Sequence, residues 1–478
     1  MLAIVIISAS ILRLISLNQS LWLDEGISVV FARSLSLKAL LLSFSVSDFH
    51  PPLFYILLKY WMRLFGTSEI IVRLPSVIFS LLAIIVIYII GKKLYDKKTA
   101  FVSSILLATS PLYIYYSQEA RMYMLASLLT ALSVLFFVLL LEQDKIKYWV
   151  GFILSTAVLL YTDYLPYLML PTYALYLFIV RKKTKGVTLK SFIPALILIT
   201  AFCIPLFIYI FPKQIHGGLN IASRLPAWAS VVGGSTPKDL ALVFIKFTIG
   251  RISLDDKVLY AILLVPLAGF IGLLFSVSWL RISTKRSFVW FWFLLPITFS
   301  FIISFFIPVF SYFRLIFVLP AFYLILASAI TNLNWSLPTR VMLSIMLVIN
   351  LSCSFIYLIN PKFHREDWKS ATSYVQQNST NNTIVMFEST NSIAPFVYYN
   401  NDFVQAWGVL DSINPDPTNV QINVNKFLDG SNKVYLFQYL SPITDPQGLV
   451  YTSLTNAGFS NTATKDFNGV GFVYEFTR

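Results

Sequence analysis

Long apolar runs separated by short polar or basic links occupy the chain up to about residue 358. A bilayer core of about 30 Å calls for roughly 20 apolar residues in helical form. On that length the pattern predicts eleven spans, at 2–17, 70–90, 100–115, 122–141, 148–161, 164–180, 191–211, 258–279, 288–309, 312–330 and 340–358. Between the first two lie about fifty residues whose apolar positions recur on one face only. Segments 27–35 and 37–44 therefore predict short helices lying in the interface. Segment 52–65 is fourteen residues long and carries Lys59 and Arg63, so it too is expected along the interface and not across the membrane. Residues 212–257 read as a mixed loop.

After Asn360 the pattern changes. Helices are expected at 366–377 and 420–428 and strands at 383–387, 433–437 and 469–476, with breakers such as Asn414-Pro415-Asp416-Pro417 between them. The fold class that follows is an all-α polytopic membrane domain, residues 1–358, followed by a small α/β soluble domain, residues 359–478. No catalytic motif stands in the second domain, which suits a scaffold or an acceptor-docking role.

Composition agrees with the pattern. The chain is 57% hydrophobic and 12% charged, with mean hydropathy +0.74, which excludes an ordinary soluble protein. Charge adds orientation. The formal net charge is +14, yet residues 360–478 hold seven Lys/Arg against ten Asp/Glu, so the membrane part carries about +17. With the N-terminus cytoplasmic, the links 91–98, 142–147, 181–190, 280–286 and 332–340 hold fifteen Lys/Arg in forty residues, a far higher density than on the other side. Positive charge marks the cytoplasmic face, so the N-terminus is expected inside and the soluble domain outside. The basic character reflects lipid and cytoplasmic loops, and no nucleic-acid motif is present. Cys203 and Cys353 fall inside apolar segments, which excludes a disulfide framework and a cysteine zinc site. The first segment lacks a basic start and a small-residue cleavage site, so it reads as a retained span.

This topology sends several polar groups to one face: Asp24-Glu25, His50-Pro51-Pro52, Ser117-Gln118-Glu119-Ala120-Arg121-Met122-Tyr123, Thr162-Asp163-Tyr164 and Ser311-Tyr312-Phe313-Arg314. Arg13, Arg73, Arg121 and Arg314 all sit at outer ends of spans. Charge gathered at one face points to a reaction site at the outer leaflet, not to a path through the bilayer. Adjacent helical residues point about 100° apart, so Asp24 and Glu25 do not flank one bond as a glycosidase pair does. Each group also has a plainer reading. Asp24-Glu25 suit a helix N-terminus. His50 suits an interfacial turn fixed by proline. Arg121 suits a snorkelling anchor or a partner for Glu119, Asp163 suits a turn, and Arg13 suits snorkelling.

Leu21-Trp22-Leu23-Asp24-Glu25, His50-Pro51-Pro52-Leu53, Arg73-Leu74-Pro75-Ser76 and Ser117-Gln118-Glu119-Ala120-Arg121-Met122-Tyr123, in this order, resemble the GT-C membrane glycosyltransferases. That group includes the protein O-mannosyltransferases and the aminoarabinose transferases of lipid A. The resemblance implies a multi-pass cell-membrane enzyme moving a sugar, with inversion, from a polyprenyl- or dolichyl-phosphate carrier to a hydroxyl of a glycan, lipid or protein acceptor. A phosphate monoester leaves readily, so one carboxylate base suffices. Asp24 takes that role, and Glu25 and Asp163 make acceptor or structural contacts. His50, Arg121, Tyr312 and Arg314 meet the donor phosphate. No cofactor is expected; a divalent metal is conceivable but not expected, since Arg and His supply the charge. The competing readings are a lipid-linked oligosaccharide or phospho-group transferase and, from another class, a transporter or flippase, which would place polar groups near the midplane.

Overall fold

The structure is a computed structural model and describes residues 1–44, 48–180, 186–216, 233–332, 337–410 and 416–478. Parts of two basic links (181–185 and 333–336) and the breaker Asn414-Pro415 lie outside the described residues.

Each of the eleven apolar segments is helical. Among the described residues six helices are long and apolar enough to cross a membrane: α4 (Glu69–Leu94), α7 (Tyr123–Glu142), α10 (Leu189–Pro205, running on to His216), α12 (Lys257–Leu280), α13 (Thr284–Ile303) and α15 (Leu337–Ile359). One further span is a bent pair, α5 (Lys97–Ala108) and α6 (Pro111–Ser117), and four apolar helices are shorter. These are α1 (Leu2–Leu14), α8 (Ile146–Leu160), α9 (Met169–Val180, entered through Leu165–Leu168) and α14 (Leu319–Thr331, entered through Ile316–Val318). Every residue of α14 is buried, so this helix forms the centre of the bundle, packed on α5, α12 and α13. Ile4, Ile7, Ile197, Phe202, Ile262, Val265 and Val348 stand exposed around the outside. Such an apolar girdle suits lipid and not water.

The segment expected as one straight span over 100–115 is bent by 60°. Thr109, Ser110 and Pro111 explain the break. Ser110 caps α6 by accepting the Tyr113 N–H, and Pro111 occupies its first position, where no N–H is needed. The carbonyls freed at the break find donors: Arg13 Nη1 on Ala108 at 3.0 Å, Asn350 Nδ2 on Leu106 at 3.0 Å, and Ser354 Oγ on Thr109 at 3.0 Å. Unpaired backbone in an apolar surround costs several kcal/mol, so these polar residues are structural. Arg13 accordingly does not snorkel. It is buried among helices, with Nε also on Ser80 Oγ at 2.8 Å.

Two helices lie beside the end of the bundle at which α1 finishes, α2 (Leu23–Ser34) and α3 (Leu53–Phe65). Segment 52–65 is thus a single helix of 13 residues, and its buried Lys59 donates to the carbonyls of Ala32 and Leu35, closing the C-terminus of α2. Of the segment expected as mixed loop, 212–257, residues 217–232 lie outside the described residues, and the described part contains a helix, α11 (Pro237–Ile249). Its capping box, Thr236 with Asp239 around Pro237, fixes the start and its Val243 and Phe247 reach the core.

The remaining residues form a second layer over the same end. A five-stranded sheet runs in the order β2-β1-β3-β5-β4, where β1 is Thr383–Ser389, β2 Gln405–Leu410, β3 Lys433–Phe437, β4 Ser460–Phe467 and β5 Gly471–Thr477. β2, β1 and β3 are parallel; β5 and β4 complete the sheet antiparallel. Helices α16 (Trp368–Gln377), α17 (Ala394–Asn400), α18 (Pro417–Phe427) and α19 (Leu449–Asn456) cover it. The pattern missed β2, β4, α17 and α19. β4 is exposed nearly throughout and so lacks an apolar face to read.

Candidate active site

Asp24 and Glu25 open α2 and, as their spacing requires, point to different surroundings. Glu25 turns inward. It accepts Arg73 Nε on Oε1 at 2.8 Å and Arg73 Nη2 on Oε2 at 2.6 Å, and the Ala120 N–H at 2.8 Å. Arg73 completes its fan on the carbonyls of Leu17, Gln19 and Ser20. Glu25 is fully buried. Burial alone would raise its carboxyl; the ion pair outweighs that and holds it low. Of the two roles expected for Glu25, acceptor or structural, this geometry fits the structural one.

Asp24 faces the cleft between the two layers and keeps 35% of its side chain exposed. One carboxylate oxygen lies 3.7 Å from Arg121 Nη2. Burial pushes the Asp24 carboxyl up, with Asp48 adding to that push and Arg121, His50 and Arg314 opposing it. Arg121 itself is 2% exposed and spans two acids, its Nη1 standing 3.5 Å from Asp48 Oδ2. The same nitrogen donates to Ser28 Oγ at 3.1 Å and Tyr55 Oη at 3.3 Å. His50 Nδ1 sits 3.4 Å from Arg121 Nη2 and 3.1 Å from Asp48 Oδ2. Tyr55 donates its hydroxyl to the same Asp48 oxygen. Burial works against ionisation of Asp48, yet Arg121, His50 and Tyr55 bring it down to about 2. Arg121 is therefore neither a snorkelling anchor nor the partner of Glu119, and a phosphate finds it already enclosed.

Glu119 pairs across the layers instead. Arg365, just before α16 of the sheet layer, donates to its Oε2 at 2.7 Å and to Tyr115 Oη at 2.6 Å, with its guanidinium 3.8 Å from the Tyr115 ring centroid. Arg251 reaches the same hydroxyl at 2.5 Å from the end of α11 and remains exposed to the cleft. Tyr312 and Tyr116 are electrostatic neighbours of Arg251. Arg314 lies over the Phe313 ring at 5.9 Å, with Asp163 and Asp24 as electrostatic neighbours. Asp163 is buried and accepts the backbone N–H groups of Tyr164 and Leu165, which caps the turn into α9; burial raises its carboxyl, with His50 and Arg314 opposing. Neither Arg251 nor Arg314 makes an ion pair among the described residues.

The structure thus brings Asp24, His50, Arg121, Asp163 and Arg314 to one cleft, with Tyr312 at its Arg251 side. Asp48, Tyr55, Arg251 and Arg365 join them without having been expected. Asp48 stands two residues before His50-Pro51-Pro52 and was legible as charge beside a motif; Arg365 stands in the charged run His364-Arg365-Glu366-Asp367, which no motif marks. Several buried polar atoms near the cleft (Arg121 Nε, Glu119 Oε1, Arg365 Nε, Trp22 Nε1 and Ser311 Oγ) have no partner among the described residues. Unpartnered buried groups are uncommon and mark places where a polar ligand is accommodated. Among the described residues no three His, Cys, Asp or Glu side chains are grouped to hold a metal ion.

Residues 49–209 match the family model described as dolichyl-phosphate-mannose-protein mannosyltransferase. No curated protein matches the chain in sequence. In three dimensions the chain is similar to ArnT from Cupriavidus metallidurans. The apo crystal structure aligns at TM-score 0.59 and 12% identity over 99% of this chain and 97% of that one. The undecaprenyl-phosphate-bound crystal structure aligns at TM-score 0.60 and 12% identity, with the same coverage. The oligosaccharyltransferase of Archaeoglobus fulgidus in complex with Zn and sulfate aligns at TM-score 0.58 and 11% identity over 99% of this chain and 72% of that one.

Proposed function

We propose, from the GT-C fold that this multi-pass membrane protein has and from the cleft around Asp24, that it is an inverting glycosyltransferase using a polyprenyl-phosphate sugar as donor. The single observation that carries this is the division of labour among the acids. Glu25 and Glu119 are spent in buried ion pairs with Arg73 and Arg365, and Asp48 sits under Arg121, His50 and Tyr55. Asp24 alone of these keeps an open face on the cleft.

In this reading Asp24 takes the proton of an acceptor hydroxyl as that oxygen attacks the anomeric carbon. The bond from that carbon to the phosphate oxygen breaks on the opposite side, and the lipid phosphate departs with the electron pair. Arg121 holds Asp24 in place and opposes the rise that burial imposes on its carboxyl. The donor phosphate meets Arg251 and Arg314, neither of which makes an ion pair among the described residues, with Tyr312 beside them. This moves the phosphate away from Arg121 and His50. A charge-assisted hydrogen bond contributes about 1.5–3 kcal/mol, enough for these arginines to set donor affinity without a metal. The ArnT structure bound to undecaprenyl phosphate and the structure of the Archaeoglobus fulgidus oligosaccharyltransferase, AglB, in complex with an inhibitory peptide and a dolichol-phosphate support a lipid-phosphate carrier. The cleft lies on the extracytoplasmic side, in line with the basic links at the other end of the bundle.

Purified protein given a panel of polyprenyl-phosphate sugars tests the proposal. Transfer from one of them to an acceptor hydroxyl is expected, with Asp24→Asn lowering turnover by about 10²–10⁴-fold while donor binding survives. Near-normal turnover in that variant removes Asp24 from the role. Chelator should leave activity intact; loss restored by a divalent ion would replace the arginine-only account of the donor phosphate.

A further inference from the structure

The sheet layer carries a pocket of about 400 Å³, within the range of small-molecule sites, and one of its lining residues, Glu366, hydrogen-bonds the helix that holds Asp24. Glu366, Gln438, Tyr439, Asp466, Phe467 and Asn468 line it, and the β4–β5 turn closes one side. Gly469 and Gly471 in that turn adopt φ +75° and +86°. A Cβ on Gly469 would stand 3.0 Å from Glu366 Cγ, and one on Gly471 3.2 Å from the Gln438 carbonyl, so the turn can lie close only with glycine.

Glu366 joins the pocket to the cleft. Its Oε1 accepts the Tyr439 hydroxyl at 2.9 Å, while its Oε2 accepts Trp368 Nε1 at 2.7 Å and the Leu23 N–H at 3.2 Å. Leu23 is the first residue of α2, and Trp22 before it offers no side-chain cap, so Glu366 caps from another domain the helix that begins Leu23-Asp24. Asp24 is an electrostatic neighbour of both Glu366 and Tyr439.

The lining holds two carboxylates and two amides, no Lys or Arg, and the rings of Tyr439 and Phe467. Two carboxylates repel a phosphate. Carboxylates and amides together accept from and donate to hydroxyl groups, and aromatic faces cover apolar C–H surface. Resting on the glycosyltransferase reading for its role, we propose that this pocket is the acceptor subsite and that it takes a neutral, polyhydroxylated sugar, whose neighbouring hydroxyl is thereby presented to Asp24.

Two measurements on the full-length protein decide it. Hydrogen exchange of the 466–471 turn is followed with millimolar methyl α-mannoside, methyl β-glucoside and methyl β-galactoside. At least one should slow exchange severalfold, and Asp466→Ala, a change at an exposed side chain, should abolish that protection. In transfer assays with saturating donor, Asp466→Ala should raise the KM of an oligosaccharide acceptor about tenfold with kcat unchanged, the size expected for losing a hydrogen bond to a charged group. Transfer to a simple alcohol should not change. Absence of protection by every glycoside, or protection by tri-lysine in their place, overturns the proposal. A wild-type protein that moves no sugar from any carrier sinks the glycosyltransferase reading instead; the exchange measurement needs no turnover and judges the pocket by itself.

Discussion

Arg73 grips Glu25 with both arms of its guanidinium, at 2.8 and 2.6 Å, and neither side chain reaches the surface. The pair ties α2 to α4 and, through the Ala120 N–H, to the loop that carries Arg121. Removing one partner of a buried ion pair leaves the other uncompensated, which typically costs about 3–5 kcal/mol. Glu25→Gln should therefore lower the thermal midpoint and the yield of folded protein, while the folded fraction keeps its acceptor KM. A raised acceptor KM at unchanged stability would return Glu25 to the cleft.

Arg121 acts on proton affinity. It pulls Asp24 down against burial, so Arg121→Gln should let the Asp24 carboxyl rise further. A general base must be ionised, and the acid limb of the kcat profile should consequently move to higher pH. A limb that stays in place, or moves to lower pH, would separate Arg121 from the base.

Arg251 and Arg314 should govern donor affinity. Arg251→Gln and Arg314→Gln are each expected to raise the donor KM about tenfold or more, with a smaller effect on kcat. Arg251→Lys should recover only part, because a lysine cannot reproduce the planar fork. Equal loss of donor affinity in Arg121→Lys, with Arg251→Gln unaffected, would place the phosphate back at Arg121.

Orientation is tested by cysteine labelling. Lys93 lies in a basic link at one end of the bundle and ion-pairs with Glu142; Asp402 is exposed on the sheet layer. In intact cells or sealed right-side-out vesicles an impermeant maleimide should label a cysteine at 402 and not at 93. Labelling of both from one side would undo the topology and the extracytoplasmic site.

Asp48 offers a stability test with a defined sign. Its folded pKa, about 2, lies below the ordinary 3.8, so its contribution is complete above pH 3.8 and disappears as pH falls through 2. Asp48→Asn should thus be less stable than the parent at neutral pH, and the difference in thermal midpoint should close toward pH 2. A gap that is constant with pH would mean that the charge on Asp48 does not matter.

Much of this was legible because a membrane chain advertises its helices by length. All eleven apolar segments are helical, and β1 and β3 fall on the strand-like runs expected at 383–387 and 433–437. What escaped the pattern has physical reasons. The 60° bend between α5 and α6 depends on Arg13, Asn350 and Ser354 supplying donors from distant helices, which no local window contains. β4 faces solvent along nearly all its length. In the site, Asp24, Arg121 and Arg314 stood out as charge at span ends. Arg365 did not, since its partner Glu119 lies 246 residues earlier and only the docking of the two layers pairs them.

Gly26 is pressed against the backbone of Pro395, where a Cβ would come within 2.8 Å of the proline nitrogen, and the Leu21 N–H is held by Tyr399 Oη. On the ribosome, Tyr399 follows Leu21 by 378 residues. At roughly 5–20 residues per second that interval is on the order of 20–75 s. During it the stretch bearing Asp24 sits in the membrane without its clamp, its cap or the arginine that neutralises Glu119. The Asp24 stretch thus reaches its final geometry only after Arg365, Pro395 and Tyr399 have been made and have docked on it.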